Sequence, residues 1–185
     1  MNLIRVFEQG DQRLLYYPDF FSKSCYSELA EALPWRQNEI RLFGKTHLEP
    51  RLTAWFGPAY TYSNIHWPEQ ATHPLLDEIA KPLRELTEFP FNAVLANYYR
   101  NGHDSMGWHS DNEPEMDTTL IASVTFGGAR TFKFRSKQSG QVISINLLDR
   151  SLLLMHHMQN DWQHALPKTS RNNQPRINLT FRRIV

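Results

Sequence analysis

At 185 residues with a formal net charge of +1, the chain fits one domain, large enough to bury roughly 70% of the surface its unfolded form exposes, so folding needs neither disulfides nor a structural metal. Its single cysteine, Cys25, excludes an intramolecular disulfide framework and a cysteine-rich zinc site, and fits a reducing compartment. No apolar run approaches the ~20 residues of a membrane helix, and Met1-Asn-Leu-Ile-Arg lacks the apolar core of a secretion signal, so an intracellular, cytoplasmic protein with no membrane partner is expected.

Charge is unevenly spread. Residues 130–185 hold ten Lys or Arg against two Asp or Glu, a net +8, which leaves ten against seventeen, or −7, in the remainder. Such asymmetry suits a polyanionic partner such as nucleic acid, although a solvated basic surface gives the same count.

Along the chain, Leu14-Leu-Tyr-Tyr reads as a short strand. Ser22 is placed to cap a helix in which Cys25, Leu29 and Leu33 share one face before Pro34 stops it. Gly44-Lys-Thr46 has the tail of a phosphate-binding loop, but that loop's first glycine falls at position 39, which is Glu39. No glycine fingerprint for a dinucleotide follows a strand either. His47-Leu-Glu49 offers an imidazole and a carboxylate two residues apart. A second helix is predicted from Pro74, with Leu75, Leu76, Ile79, Leu83 and Leu86 as its apolar stripe. Pro82 lies within it, and since an interior proline costs about 3 kcal/mol relative to alanine, a kink or break is expected there. Glu88-Phe-Pro90 ends the element.

From residue 91 the pattern changes to strands: Phe91–Tyr99, Thr119–Phe126, Arg130–Phe134, Gln141–Leu147, Ser151–Met155 and Arg176–Arg182, with turns at Gly127-Gly128, Ser139-Gly140 and Asp149-Arg150. Many short strands without intervening helices argue for an antiparallel double sheet of jelly-roll type. The expected fold class is α+β, mainly β, in one domain spanning residues 1–185, with helices in about 1–90 and the barrel in about 91–185.

His109 and Asp111 fall within this region, two residues apart, so on an extended strand both side chains leave the same face. A metal such as Fe(II), held by two histidines and one carboxylate with half its coordination sphere open, needs this pair plus a distant histidine. His164 is the candidate. About one such His-x-acid pair is expected by chance in this composition, and His47/Glu49 is the competitor.

The last strand alternates strictly. Arg176, Asn178, Thr180 and Arg182 occupy one face, and Ile177, Leu179 and Phe181 the other. The residues alone leave two readings open. Either the polar face meets solvent, or it points inward, where two guanidinium groups need an anionic partner. A dicarboxylate would serve, because arginine's planar fork pairs with carboxylate bidentately.

Together, Asn97-x-Tyr99, His109-Ser-Asp111, His164 and Arg176-Ile-Asn-Leu-Thr-Phe-Arg182 resemble the AlkB family of Fe(II)- and 2-oxoglutarate-dependent nucleic-acid dealkylases, closest to its DNA-repair branch. The resemblance runs from about Arg41 to the C-terminus and includes Pro50-Arg-Leu-Thr-Ala-Trp-Phe-Gly, Tyr60-Thr-Tyr62-Ser and Ile121-Ala-Ser-Val-Thr-Phe-Gly. Residues 1–40 carry no usable motif.

The resemblance implies a double-stranded β-helix core with N-terminal helices and a lid that recognises the nucleotide. It makes His109, Asp111 and His164 the iron ligands and has Arg182 clamp the distal carboxylate of 2-oxoglutarate, with Asn97, Tyr99, Arg176, Asn178 and Thr180 around the co-substrate. Three protein ligands and a bidentate keto acid fill five positions of an octahedron and leave one for O2. The implied reaction hydroxylates an N-methyl carbon of a base such as 1-methyladenine or 3-methylcytosine in DNA, releasing formaldehyde, succinate and CO2. RNA or protein is the alternative target of the same chemistry, and a monomer is expected.

Methylated base nitrogens are inaccessible in a duplex, so the target must be flipped out. The resemblance assigns Tyr62 to stack on the flipped base opposite His109, and Glu113 to accept from its exocyclic amino group. Trp55 and Tyr60 are further aromatics near the implied mouth, although Trp55 reads equally as core. Arg51 either touches phosphate or base edge or pairs with a carboxylate. Phe43, in Leu42-Phe-Gly44, resembles the wedge that fills the gap left by the extruded nucleotide, and reads equally as a buried residue at a turn.

Overall fold

Alternating apolar residues build nearly half of this molecule into strands. The computed structural model describes the backbone of residues 2–42, 45–62 and 65–185, and the side chains of all of these except 41, 42, 45, 60–62 and 65. The N-terminal elements are β1 (Ile4–Gln9), β2 (Gln12–Tyr17), α1 (Tyr26–Ala32), β3 (Glu39–Leu42), β4 (Lys45–Leu48), β5 (Leu52–Phe56), β6 (Tyr60–Tyr62), β7 (Ile65–Trp67) and α2 (Pro74–Thr87). There follow β8 (Ala93–Tyr99), β9 (Met106–His109), β10 (Leu120–Gly127), β11 (Arg130–Ser136), β12 (Val142–Leu147), β13 (Ser151–His156), β14 (Trp162–Leu166) and β15 (Arg176–Arg182).

A seven-stranded sheet runs β1-β2-β13-β10-β15-β8-β5, and a four-stranded sheet runs β12-β11-β14-β9. Every pairing in them is antiparallel. Because a strand's side chains alternate between faces, the large sheet feeds two cores. Leu14, Tyr16, Leu95, Ile121, Leu153 and Met155 pack with Phe134, Ile145, Leu147 and Trp162 of the small sheet. On the other face, Val94, Ala96, Val124, Leu154, Leu179 and Phe181 pack with Leu29 and Leu33 near α1 and with Leu76, Ile79, Ala80 and Leu83 of α2. The result is three layers, helices on sheet on sheet, with the jelly-roll character expected.

The N-terminal segment departs from expectation. Strands β1, β2 and β5 all lie in the large sheet, so helices in residues 1–90 and a barrel in 91–185 is not how the layers divide. Ser22 does not cap α1. Cys25 holds that position without a side-chain bond, while the neighbouring Ser24 hydroxyl donates to Asp149 at 2.8 Å. Helix α2 continues through Pro82. Burial of Leu76, Ile79, Ala80 and Leu83, each worth about 1.5–3 kcal/mol for the large side chains, offsets the missing hydrogen bond and keeps the helix seated. Leu86, assigned to the stripe, is 40% exposed. Among the described residues no helix is long and apolar enough to cross a membrane.

Candidate active site

Strand β15 carries the site because both of its faces are buried. Ile177, Leu179 and Phe181 belong to the helix-side core, so Arg176, Asn178, Thr180 and Arg182 point between the two sheets, where none is more than 8% exposed. The solvent-face reading therefore falls. The inter-sheet space opens into a pocket lined by Asn178, Thr180 and Arg182 together with Asn97, Tyr99 and Arg51.

Opposite β15, the small sheet brings His164 of β14 beside His109 of β9 as register partners, with ring centroids 4.2 Å apart. Asp111 lies two residues past the end of β9, so no strand alternation places it. Its backbone N–H donates to Gln159 Oε1 at 3.1 Å. Asp111 Oδ1 lies 3.7 Å from His109 Nε2, and Oδ2 lies 3.7 Å from His164 Nε2. One ligand atom from each of the three residues lies within 4.8 Å of the other two, a spacing that a single metal ion could bridge. No other cluster of this kind occurs among the described residues.

The competing pair is used differently. His47 is exposed, whereas Glu49 is 3% exposed and accepts from Arg51 Nη2 at 2.8 Å and from Asn38.

Each ligand candidate is held ready for a cation. A carbonyl can only accept, so at 2.8 Å from Gly107 O the His109 Nδ1 carries the proton, leaving the Nε2 lone pair toward Asp111. Burial pushes His164 down to about 3, with His109 adding to the effect, and burial also lowers His109 below its ordinary value. Both imidazoles are thus neutral, as metal ligation requires. Burial alone would raise Asp111, but the guanidinium of Arg182, foremost among the charges around it, holds the carboxyl below its ordinary value and ionised.

Buried polar atoms without hydrogen-bond partners supply the fit test for an absent metal and co-substrate. They include Asp111 Oδ1, Arg182 Nε and Nη1, and Arg176 Nε. A metal at Asp111 and carboxylates at the two guanidinium groups would satisfy all four. The residues fit an iron and a dicarboxylate.

Arg182 Nη2 donates to Asp111 Oδ2 at 2.9 Å, so this guanidinium stands beside the carboxylate of the His-Asp-His cluster. Arg176, six residues earlier on the strand, donates to Thr125 Oγ1 at 2.9 Å and lies 5.3 Å from the centre of the Tyr99 ring. Burial lowers it to about 10, so it remains charged at neutral pH. Asn178 donates to Ser123 Oγ and to Val124 O, and accepts from Thr180. Asn97 accepts from Arg51 Nε at 2.8 Å.

The base-side residues divide. Arg51 is 3% exposed and bound to Glu49 and Asn97, so it takes the carboxylate-pairing role and not the phosphate one. Trp55 is 1% exposed within the inter-sheet core and donates to Pro58 O at 2.9 Å, which makes it core and not a stacking platform. Glu113 is half-buried, beyond the end of β9, so it too owes its place to a loop. Phe43 and the side chains of Tyr60 and Tyr62 lie outside the described residues. Sequence reading missed Phe132, whose ring lies 5.3 Å from His164. The alternation of Phe132 and Phe134 with Thr131, Lys133 and Arg135 was the available signal.

Comparison with known proteins agrees with this geometry. A profile of the 2OG-Fe(II) oxygenase superfamily matches residues 13–182. The human alpha-ketoglutarate-dependent dioxygenase alkB homolog 3 is 38% identical over 197 residues, covering 95% of this chain and 67% of that protein. The mouse DNA oxidative demethylase ALKBH2 is 38% identical over 160 residues, covering 80% of this chain and 67% of the relative. The solved structure of OsALKBH1 superposes with a TM-score of 0.66 at 12% identity, over 98% of this chain and 100% of that one, a likeness of fold alone.

Proposed function

The chain belongs to the AlkB family of the 2OG-Fe(II) oxygenase superfamily and is an Fe(II)- and 2-oxoglutarate-dependent dioxygenase, and from that premise we propose that it oxidatively dealkylates bases in DNA. Lesions of the 1-methyladenine and 3-methylcytosine type are the proposed substrates. The observation that carries the reading is the joint occurrence, in one cavity, of the His109-Asp111-His164 cluster and unpartnered guanidinium nitrogens on Arg182. The seven Lys and Arg of residues 130–185 that remain at the surface, with Arg130, Arg176 and Arg182 buried, and a relative named as a DNA oxidative demethylase support the choice of nucleic acid.

In this proposal His109 Nε2, Asp111 and His164 Nε2 hold the iron. With 2-oxoglutarate and O2 as co-substrates, an iron held there would supply the oxidation that places a hydroxyl on the N-methyl carbon, and the hemiaminal so formed would release formaldehyde. Arg182 balances the charge of Asp111 and turns Nε and Nη1 toward the near carboxylate of the co-substrate. Arg176 offers Nε to the distal carboxylate, with Tyr99 beneath it, while Asn97, Asn178 and Thr180 fix the polar wall. Leu95, Met106, Phe132 and Met155 line the cavity and exclude water, which strengthens each charge contact within it. Glu113 accepts from the exocyclic amino group of the base.

The test is incubation of the chain, reconstituted anaerobically with Fe(II), with 2-oxoglutarate, O2 and methylated DNA and RNA oligonucleotides, scoring formaldehyde and restored base. Repair of the DNA lesions, lost in His109→Ala, is expected. Turnover confined to RNA, or co-substrate consumption with no restored base in either nucleic acid, would refute the proposed substrate.

A further inference from the structure

Arg130, at the start of β11, is 2% exposed, and among the described residues no carboxylate lies within ion-pairing distance of it. Asp104 acts on it electrostatically, but its carboxylate is bound by Arg100 at 2.8 Å. A buried guanidinium without a counter-ion persists only if its donors are satisfied, and those of Arg130 reach three backbone carbonyls. Nη1 donates to Asn101 O at 3.1 Å, and Nη2 donates to Asp104 O at 3.0 Å and to Pro167 O at 2.7 Å.

Those carbonyls belong to two loops. Asn101 and Asp104 lie in the turn that feeds β9, and hence His109 and Asp111. Pro167 directly follows β14, three residues after His164. The same joint is reinforced by Thr169 N–H, which donates to Gly102 O at 2.8 Å, while Asn172 Nδ2 donates to Ala129 O at 2.8 Å and ties the loop leaving β14 to the residue before Arg130. Gly102 has no room for a side chain, because a Cβ there would collide with Thr169 O and lie 2.8 Å from Asn172 O.

We infer that Arg130 is a positioning residue for the His109-Asp111-His164 cluster, one guanidinium that pins the loop entering the His109 segment to the loop leaving the His164 strand and so sets the spacing of the ligands before a metal arrives. The inference rests on the reading of that cluster as the metal site. Arginine suits the task because its planar fork presents donors from separate nitrogens in fixed directions. A lysine ammonium at the end of a flexible stem would not reach both loops in the same geometry.

The test uses the metal-free full chain and Co(II) alone as the probe, followed by its visible absorption, together with amide hydrogen exchange. Arg130→Gln should weaken Co(II) binding by about 10- to 100-fold, the range found when groups that orient metal ligands are removed. Exchange should accelerate in residues 101–105 and 167–173 together, while the amides of β10 and β15 remain protected. Arg130→Lys should not restore the parent affinity. A purely stabilising residue would lower the melting temperature with Co(II) affinity within twofold of the parent, and that result overturns the inference. If Arg130→Gln does not fold, Gly102→Ala strains the same joint with the guanidinium retained, and unchanged Co(II) affinity there is equally fatal. A parent chain that binds Co(II) through the cluster yet dealkylates no nucleic acid refutes the proposed substrate, while the affinity ratio still decides the role of Arg130.

Discussion

Arg182 Nη2 lies 2.9 Å from Asp111 Oδ2, joining the end of the last strand to the carboxylate of the His-Asp-His cluster. Both side chains are at least 96% buried, so the contact is a charge-assisted bond in a dry setting, where such bonds are worth about 1.5–3 kcal/mol. The position of Arg182 separates its role from that of Arg176.

Arg182→Ala should therefore weaken both Co(II) and 2-oxoglutarate binding, the latter by roughly tenfold to a hundredfold, the equivalent of one charge-assisted hydrogen bond lost to the co-substrate. Lysine should rescue only in part. Arg176→Ala should raise the 2-oxoglutarate requirement to a similar degree while leaving Co(II) affinity unchanged, because it touches Thr125 and Tyr99 and no residue of the cluster. Equilibrium titration of each variant with metal and co-substrate separately makes the comparison. Identical profiles for the two variants would contradict the placement of Arg182 beside Asp111.

The pH dependence of the metal-free fold follows in large part from buried histidines, His109 and His164 in the cluster and His156 outside it, all held below their ordinary value by burial. His164 titrates near 3 in the folded chain against an ordinary 6.5, because burial disfavours its charged form, and His109 is shifted in the same direction. Between those values the unfolded chain binds a proton that the folded one does not, so stability falls as pH drops from about 6.5 toward 3. Asp111 is held below its ordinary value, and its contribution is lost in the same direction at still lower pH. The melting temperature of the metal-free chain should thus decline steadily on acidification from pH 7 to 4, and His164→Gln should flatten the slope. An equal slope in that variant would show that His164 is not buried as a neutral ring.

Much of this was legible in the sequence, for identifiable reasons. The strict alternation of Arg176 to Arg182 fixes two faces whatever surrounds them, and it correctly set the polar set apart from the apolar one. Alternation states a face, however, and not a depth within the pocket, so it could not tell which arginine stands beside Asp111. Asp111 was paired with His109 by assuming a strand that in fact stops at His109; the loop beyond, held in part by Gln159, does the work instead. Strands of four and five residues such as β9 and β14 are too short to declare a period. Trp55 was ambiguous because an aromatic at a strand position reads the same whether it faces a cavity mouth or the inter-sheet core.

Helix α2 yields a stability prediction independent of the site. Pro82 leaves the carbonyl of Glu78 without its helical donor, yet the helix is continuous. Pro82→Ala should restore that bond and raise stability by about 1–3 kcal/mol, the proline cost of about 3 kcal/mol less the stiffening that proline gives the unfolded chain. Denaturant melts of the two proteins decide it. A lower midpoint for the alanine variant would mean that contacts of the proline ring outweigh the lost bond.

The pair Arg51 and Glu49 offers the sharpest contrast with the unused histidine beside it. Their side chains are each only 4% exposed and meet at 2.8 Å, with Arg51 also bound to Asn97 in the cavity wall. Removing one partner of a buried ion pair leaves the other charge without compensation, at a cost of about 3–5 kcal/mol. Glu49→Ala should lose stability on that scale and also weaken metal binding, since the unpaired guanidinium of Arg51 stands among the charges acting on His109 and Asp111. His47→Ala, altering an exposed side chain two residues away, should change neither the denaturation midpoint nor Co(II) affinity. Loss of metal in His47→Ala would revive His47 and Glu49 as the ligand pair, and an unchanged midpoint in Glu49→Ala would show that Arg51 finds solvent or another acceptor when its carboxylate is gone.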